Sequence, residues 1–450
     1  MPGGSSPDRE HGLHHQLSAG QMAMVAVGGS IGTGLMLGSA AALEIAGPGV
    51  ILSYALAGFI SWTVALALGE LSSAHPAAGS FGVYADLYLN EWAGFIASAG
   101  YWAAIAISIG AELVASATYM TFWFPSAPAW IWVAIFSALL LLINLRSVGA
   151  YGRFEFWFAM IKVATIAAFI VIGAGLLLSG RVAPQFAAQG GFLPKGPLAP
   201  LFAMGLALYT FAGVEMVAVT TGESRSANDV PRAVRLTVIV LTLVYMGAIT
   251  VLVGVMPWNR AGVIESPFVS VFRHARIPAA AEVMTFVVLT AALSGANAAL
   301  YIASRMLFAL SRNGWAPAAF GRLTASGSPR SALLASSFGI AIAFALEQWA
   351  PKDAFVSILG ATLVGMLLAW LVSLAAHVKF RRGLSAAQLA ALPMRSPLGS
   401  WGSGLGFALV LIALLEAGWV SHLTLASGAG YLLLLTLAYR YMKRHRQKVQ

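Results

Sequence analysis

The sequence predicts an all-α integral membrane protein of twelve transmembrane helices, of which the first and the sixth are broken. Composition is the first reason. Of 450 residues, 59% are hydrophobic and 9% charged, whereas about a quarter are charged in an ordinary soluble protein. The second reason is the recurrence of apolar stretches about 20 residues long, the length that crosses a hydrocarbon core. The third is a pair of glycine-bearing interruptions, Gly28 to Gly34 and Tyr209 to Gly213, at corresponding places in two halves of the chain.

Residues 1–19 form a polar tail with His11, His14 and His15. No small-residue cleavage site follows convincingly, so the first apolar run reads as a retained helix and not as a signal peptide. That run, 21–46, turns at Gly47-Pro48-Gly49 into 49–74, and spans follow at 92–121, 127–145 and 154–179, with Pro125 and Pro128 in the third turn. Residues 20–180 are thus a first unit of five helices. A loop over 181–197 with Pro184, Pro194 and Pro197 leads to a second unit, 198–380, with spans at 198–222, 234–257, 277–311, 331–348 and 354–378. Residues 387–400 hold two prolines and no long apolar run, and read as a linker to a last helix pair, 401–417 and 420–440, within 401–442. A basic tail, 443–450, closes the sequence.

The net charge of +10 raises the question of nucleic acid, and its distribution answers it. With the N-terminus inside, eighteen of the 26 lysines and arginines fall in inner segments and six (Arg181, Lys195, Arg260, Arg273, Arg276 and Lys352) in outer ones. That asymmetry is the positive-inside signal. It places both termini of a multi-pass protein in the cytoplasm and removes the support for a nucleic-acid partner. Membrane lipid is the surrounding partner, and the tail from Lys443 to Lys448 is either a solvated helix end or a contact for anionic lipid.

The stretch Gly28-Gly29-Ser30-Ile31-Gly32-Thr33-Gly34 has four glycines in seven residues, inside a segment uncharged from Gln21 to Leu43. Glycine within a helix costs roughly 1 kcal/mol against alanine. An unwound turn in a bilayer needs partners from protein or from a water-filled cavity. Two readings stand: close helix packing through small residues, or an opened turn whose bare backbone meets a ligand. A phosphate cradle does not fit, because no strand precedes the glycines and no G-K-[ST] follows them.

The sixth span reads Leu206 to Glu215, LALYTFAGVE. Gly213 alone would also suit packing, but two interrupted helices at matching places point to an inverted-repeat transporter with its site at the midplane. The chemistry suits a zwitterion. N–H groups freed near Ser30, Thr33 and Gly34 open a half-helix whose positive end can hold a carboxylate, and carbonyls freed near Tyr209 and Ala212 can accept from an ammonium.

Ionisable groups deep in a span are functional candidates, because an unpaired charge there costs several kcal/mol. Glu112, Lys162 and Glu215 qualify as proton-coupling candidates. Lys162 lies nine residues after Arg153, which at 1.5 Å per residue is on the order of 13 Å into the membrane. It could carry a proton through a cycle, or stay bound to the carbonyls of a broken helix. Glu112 could meet a substrate ammonium, carry a proton or make an interhelical hydrogen bond; for Glu215 the structural alternative is pairing to helix ends. Glu70, Glu282 and Arg305 lie nearer span ends, where reaching an interface is sufficient explanation. With no cysteine and no H-E-x-x-H among eight histidines, no metal site, cofactor or catalytic constellation is expected.

These motifs taken together resemble the amino acid permeases of the amino acid/polyamine/organocation (APC) superfamily, in particular the bacterial branch with aromatic amino acid, proline and 4-aminobutyrate permeases. The resemblance rests on Gly28 to Gly38 (GGSIGTGLMLG), Gly47 to Tyr54 (GPGVILSY), Gly69 to Gly82 (GELSSAHPAAGSFG), Ala111 to Pro125 with Tyr119 and Trp123, Glu155 to Val163 (EFWFAMIKV), Thr210 to Glu223, Ser266 to Phe272 (SPFVSVF) and Ser304 to Leu310 (SRMLFAL). It implies a LeuT-like fold of two inverted five-helix repeats, spans one to five and six to ten, with two peripheral helices. It implies a substrate carboxylate at Ser30, Thr33 and Gly34, and an amine at the carbonyls of Ser30, Tyr209 and Ala212. Phe211 would be an aromatic gate, and Lys162 would replace a sodium ion, giving proton-coupled, sodium-independent uptake. The location that the resemblance implies is the plasma membrane, the inner membrane of a bacterium. The candidate substrate-binding residues are therefore Ser30, Gly32, Thr33, Gly34, Tyr209, Phe211, Ala212 and Gly213. The stretch Ala386 to Ser400 is shorter than the family's usual loop.

The expected function is import of an amino acid with protons by alternating access, an exchanger being the alternative. A channel would favour a continuous polar pore and a receptor a soluble signalling domain. Small residues in spans three, six, eight and ten (Ser116, Ala212, Ser294, Gly295, Gly360) either leave room for a sizeable substrate side chain or admit a neighbouring helix, so they name no substrate.

Overall fold

The computed structural model describes residues 18–75, 80–146, 151–219, 221, 224–226, 228–260, 266–324, 328–349, 354–420 and 422–449. Among them the chain is helical, with no β-strand. The tail histidines His11, His14 and His15, and parts of the Gly69 to Gly82 and Thr210 to Glu223 motifs, lie outside the described residues.

The first apolar stretch is α1 (Ala19–Ser30), started by a capping box between Ser18 and Gln21, then a π-helical turn (Gly34–Gly38) that runs directly into α2 (Ser39–Ala46). After Gly47-Pro48-Gly49 comes α3 (Val50–Ala74). A short helix absent from the sequence reading, α4 (Ser80–Tyr88), precedes α5 (Glu91–Met120), whose Asn90 side chain caps Ala93 N at 2.9 Å. Then follow α6 (Ala129–Arg146) and α7 (Tyr151–Leu178).

The sixth stretch is divided into α8 (Ala199–Phe202), α9 (Met204–Thr210) and α10 (Met216–Val219), with a turn between the last two. The rest comprises α11 (Asp229–Val255), α12 (Pro267–His274), α13 (Pro278–Arg312), α14 (Arg330–Ser336), α15 (Phe338–Trp349) and α16 (Ala354–Arg382). The stretch read as a plain linker begins with a capped helix, α17 (Ala386–Ala390), before α18 (Gly399–Val420) and α19 (His422–Val449).

All twelve apolar stretches contain helix, and among the described residues eight helical segments are long and apolar enough to cross a membrane; a further one, Ala129–Leu145, is apolar but shorter. Burial sorts centre from periphery. In the most apolar part of α5, 78% of residues are buried, against 28% in α7 and α18. Helix α5 packs mainly on α13 and α16, α1 lies against α7 and α11, and α3 against α9 and α11. Large apolar side chains such as Trp157, Val171, Leu243 and Leu434 stand exposed on outer faces, an arrangement that lipid satisfies and water opposes.

The two ends of the bundle are fastened differently. Near the start of α3, the 181–197 loop packs Pro194 onto Gly47 and Leu193 onto Gly49, and Ser53 Oγ donates to Pro200 O at 2.7 Å. At the other end of α3, Glu70 is fully buried, which corrects the interface reading. Its carboxylate accepts from Arg381 Nε at 2.6 Å, Arg381 Nη2 at 3.0 Å and Ser396 N at 2.5 Å, with His377 Nε2 3.5 Å away. Arg305, the other interface candidate, stacks on the Tyr301 ring at 4.5 Å, while Glu282 is exposed. In the basic tail, Lys443 and Arg446 pair with Glu91 at 2.8 and 3.4 Å, so these two cations serve helix docking.

Candidate functional site

Around Ser30 the α-helical ladder of the first span stops. Ile31 N still donates to Val27 O at 2.9 Å, Gly32 N turns back to Ser30 O at 3.1 Å, and the chain restarts at Thr33. The restart is a π turn, whose wider ring frees carbonyls: Leu35 O accepts from Ser39 Oγ at 2.5 Å and Met36 O from Ser266 Oγ at 2.6 Å. In the sixth span the break covers Phe211 to Glu215. There Gly213 takes φ of +106°, which a side-chain-bearing residue rarely adopts.

The two breaks touch. A β-carbon on Gly213 would lie 2.7 Å from Ser30 Oγ, 2.8 Å from Ser30 N and 3.0 Å from Gly29 C; one on Gly34 would lie 2.9 Å from the Tyr209 ring and 3.1 Å from Thr210 Cα. Glycine at these positions therefore lets the interrupted backbones meet. The first-span turn is thus opened, and its glycines also allow close packing.

Three buried carboxylates, two of them at these breaks, differ in how well they are satisfied. Glu215 caps its own break: Oε1 accepts from Gly213 N at 3.2 Å and from the Tyr101 hydroxyl, and Oε2 from Trp370 Nε1 at 3.2 Å. Glu70, at the end of α3, is held by Arg381 and Ser396 as above. Glu112 is different. Among the described residues its Oε1 accepts from Thr33 N at a long 3.4 Å, and its Oε2 has no hydrogen-bond partner. A β-carbon on Gly32 would fall 2.6 Å from Oε1 and one on Gly295 2.8 Å from Cδ, so the carboxylate fits only because both are glycine.

Lys162, on α7, is 1% exposed and donates to Gly28 O at 3.0 Å, the last turn of α1. Tyr245 donates to Ser30 O at 2.7 Å, so that carbonyl, assigned to a substrate amine by resemblance, has an internal donor. Tyr209 O likewise accepts Ala212 N at 3.0 Å.

A cavity of about 60 Å³ opens on both breaks. Of the sequence-derived candidates, Ser30, Gly32, Gly34, Tyr209, Ala212, Gly213 and Glu112 line it. Thr33, Lys162, Phe211 and Glu215 lie behind this wall: Phe211 packs on Tyr245 at 4.8 Å between ring centres and on Tyr54 at 6.5 Å, pointing into neighbouring helices and not over the cavity. Among the small residues expected in the wall, Gly295 joins Ala212, while Ser116, Ser294 and Gly360 do not line it. Residues the sequence reading missed are Tyr101, Ile105, Ser108, Met216, Ile302 and Thr362 in the wall, and Tyr245 behind it. A tyrosine in mid-span needs a partner for its hydroxyl, which is the signal by which Tyr101 and Tyr245 can be found.

The amino acid permease family model matches residues 21–443, both breaks and the cavity included. The chain belongs to the amino acid permease family. The aromatic amino acid transport protein AroP of Escherichia coli O6:H1 is 37% identical over 417 residues, 90% of this chain and 91% of that protein. The gamma-aminobutyric acid permease of Bacillus subtilis strain 168 is 36% identical over 393 residues, 86% and 84% of the two chains. Family membership and the apolar helices make this permease a multi-pass membrane protein, and its relatives are transporters and not enzymes.

Proposed function

We propose that the chain is a secondary transporter that carries an amino acid across the plasma membrane of a bacterium by alternating access, coupled to protons and independent of sodium. The observation that carries this reading is the meeting of two interrupted helices on one cavity, lined by Ser30, Gly32 and Gly34 of the first break and by Ala212 and Gly213 of the second. The first break offers the positive end of the helical run from Gly34 to Ala46 to a carboxylate, and the second offers carbonyl oxygen to an ammonium. In this reading the twelve helical stretches form two inverted five-helix repeats, 20–180 and 198–380, plus a peripheral pair, with both termini cytoplasmic. Alternating access then rocks one repeat against the other about the broken helices.

Lys162 supports the proton arm of the proposal. Its ammonium holds the end of α1 through Gly28 O, where a sodium ion could otherwise bind backbone carbonyls. Loss of a proton would loosen that tie, linking protonation to the geometry of the break. Relatives named for aromatic amino acids and for 4-aminobutyrate match almost equally well, so both classes belong in the substrate panel.

The test is uptake of labelled amino acids into proteoliposomes, with and without an inward proton gradient and without sodium. Accumulation of at least one amino acid that rises with the gradient is expected. A strict sodium requirement, or indifference to the gradient, would refute the coupling; uptake only against a preloaded amino acid would mark an exchanger.

A further inference from the structure

The three buried carboxylates pose an unequal problem. Glu70 and Glu215 each accept three or more hydrogen bonds, as a carboxylate in a low-dielectric interior requires. Glu112 is 7% exposed, has one oxygen bonded to nothing among the described residues, and the other on a single contact of 3.4 Å. That distance is outside the usual N–H···O range of about 2.7–3.2 Å. Yet its position is specific. The carboxylate lies between Gly32 and Gly295, in the cavity wall, at the opening N–H of the helical run that begins at Thr33.

We propose that Glu112 is the resident occupant of the carboxylate position at the first helix break, and that an amino acid substrate must displace it to bind. This rests on the reading of the cavity as an amino acid site. A carboxylate from solution reaching the cavity-lining Gly34 would compete for the Thr33 N–H that Glu112 covers, and two anions do not share one helix end. The weak hold on Glu112 makes it exchangeable: a free carboxylate can approach that N–H at ordinary hydrogen-bond length, whereas Glu112 is tethered to α5. Gly32 and Gly295 let the side chain reach this place, and the cavity it borders is the space into which it can withdraw. The arrangement keeps the N–H covered while the cavity lacks substrate, and ranks ligands by their ability to replace a carboxylate. A ligand with an amine and no carboxylate has nothing to put there, and leaves Glu112 in place.

The consequence is the reverse of what a substrate-binding carboxylate would give. Glu112→Gln keeps the shape and removes the charge that competes, so amino acid binding should tighten. The experiment measures ligand-induced thermal stabilisation of the purified protein with the twenty common amino acids and 4-aminobutyrate. The dissociation constant of the tightest ligand, and of the amine formed by removing its carboxyl group, is then determined for the unaltered protein, Glu112→Gln and Glu112→Ala. The expected result is a fall in Kd for the amino acid of about tenfold, the equivalent of about 1.4 kcal/mol, in both variants, with no tightening of the amine. Weakened binding of acid and amine alike would overturn the proposal and make Glu112 a ligand for the ammonium. An unchanged Kd for the amino acid would overturn it by making Glu112 a bystander. If no amino acid binds the unaltered protein, the transporter reading falls, and this proposal with it. Monodispersity on size exclusion shows that each variant is folded.

Discussion

Replacing Gly213 by alanine tests whether the contact between the two breaks is a requirement of function. The added β-carbon would lie 2.8 Å from Ser30 N and 3.0 Å from Gly29 C, both backbone atoms of the opposite break, and 2.7 Å from Ser30 Oγ. Backbone cannot rotate away as a side chain can. In addition, φ of +106° is unfavourable for alanine, a strain of about 1–3 kcal/mol, and overpacking adds a further ~1–3 kcal/mol. A total near 3 kcal/mol would lower the population of the intact site about 100-fold. The assay is uptake into proteoliposomes at matched protein content, with the thermal unfolding midpoint recorded in detergent. Gly213→Ala should lose nearly all uptake and show a lowered midpoint. Gly360→Ala is the control, since a β-carbon there meets nothing within 4 Å, and it should retain both. Full uptake and an unshifted midpoint in Gly213→Ala would refute the idea that the breaks must touch.

Three further substitutions follow from partners seen in the structure. Glu215→Ala leaves the Gly213 N–H, the Tyr101 hydroxyl and the Trp370 N–H without their acceptor, and at about 1–3 kcal/mol for each buried orphan the folded yield should collapse; adding Tyr101→Phe should recover part of it in a thermal-shift comparison. Lys162→Ala removes the donor to Gly28 O, so gradient-driven accumulation should vanish while exchange between the two faces is retained, measured as counterflow with equal pH on both sides. Arg381→Ala strands the fully buried Glu70, a loss of about 3–5 kcal/mol for a broken buried pair, and should lower the unfolding midpoint more than Lys443→Ala, whose pair with Glu91 is exposed.

The helical class and both interruptions were legible because lipid makes strict demands: apolar length, few charges, and glycine where backbone opens. The site was half legible. Ser30, Gly32, Gly34, Tyr209, Ala212 and Gly213 follow from the position of the breaks, and they do line the cavity. What a one-dimensional reading could not provide is side-chain direction. Phe211 sits in the right turn but its ring leaves toward Tyr54 and Tyr245. Glu215 and Glu112 looked alike as single acids in mid-span, and only the neighbours, Tyr101 and Trp370 for one and two glycines for the other, separate a satisfied cap from an unsatisfied group. Glu70 was misplaced because its partner Arg381 is 311 residues away in sequence. Short helices such as Ser80–Tyr88 lack the length that makes a span visible.

The π turn at Gly34–Gly38 has a mechanical consequence. Closing each ring one residue later than an α-helix, it holds a surplus residue within the first span. Rewinding it to α geometry would rotate the chain on one side of it by about 100°, the angle per residue of an α-helix. The far side is anchored, since α2 ends at Gly47 against Pro194 and Met36 O is held by Ser266. The rotation would therefore fall on Thr33 and Gly34. Rewinding would thus part Gly34 from Tyr209 and Thr210, so the contact between the two breaks is what keeps the surplus residue in place.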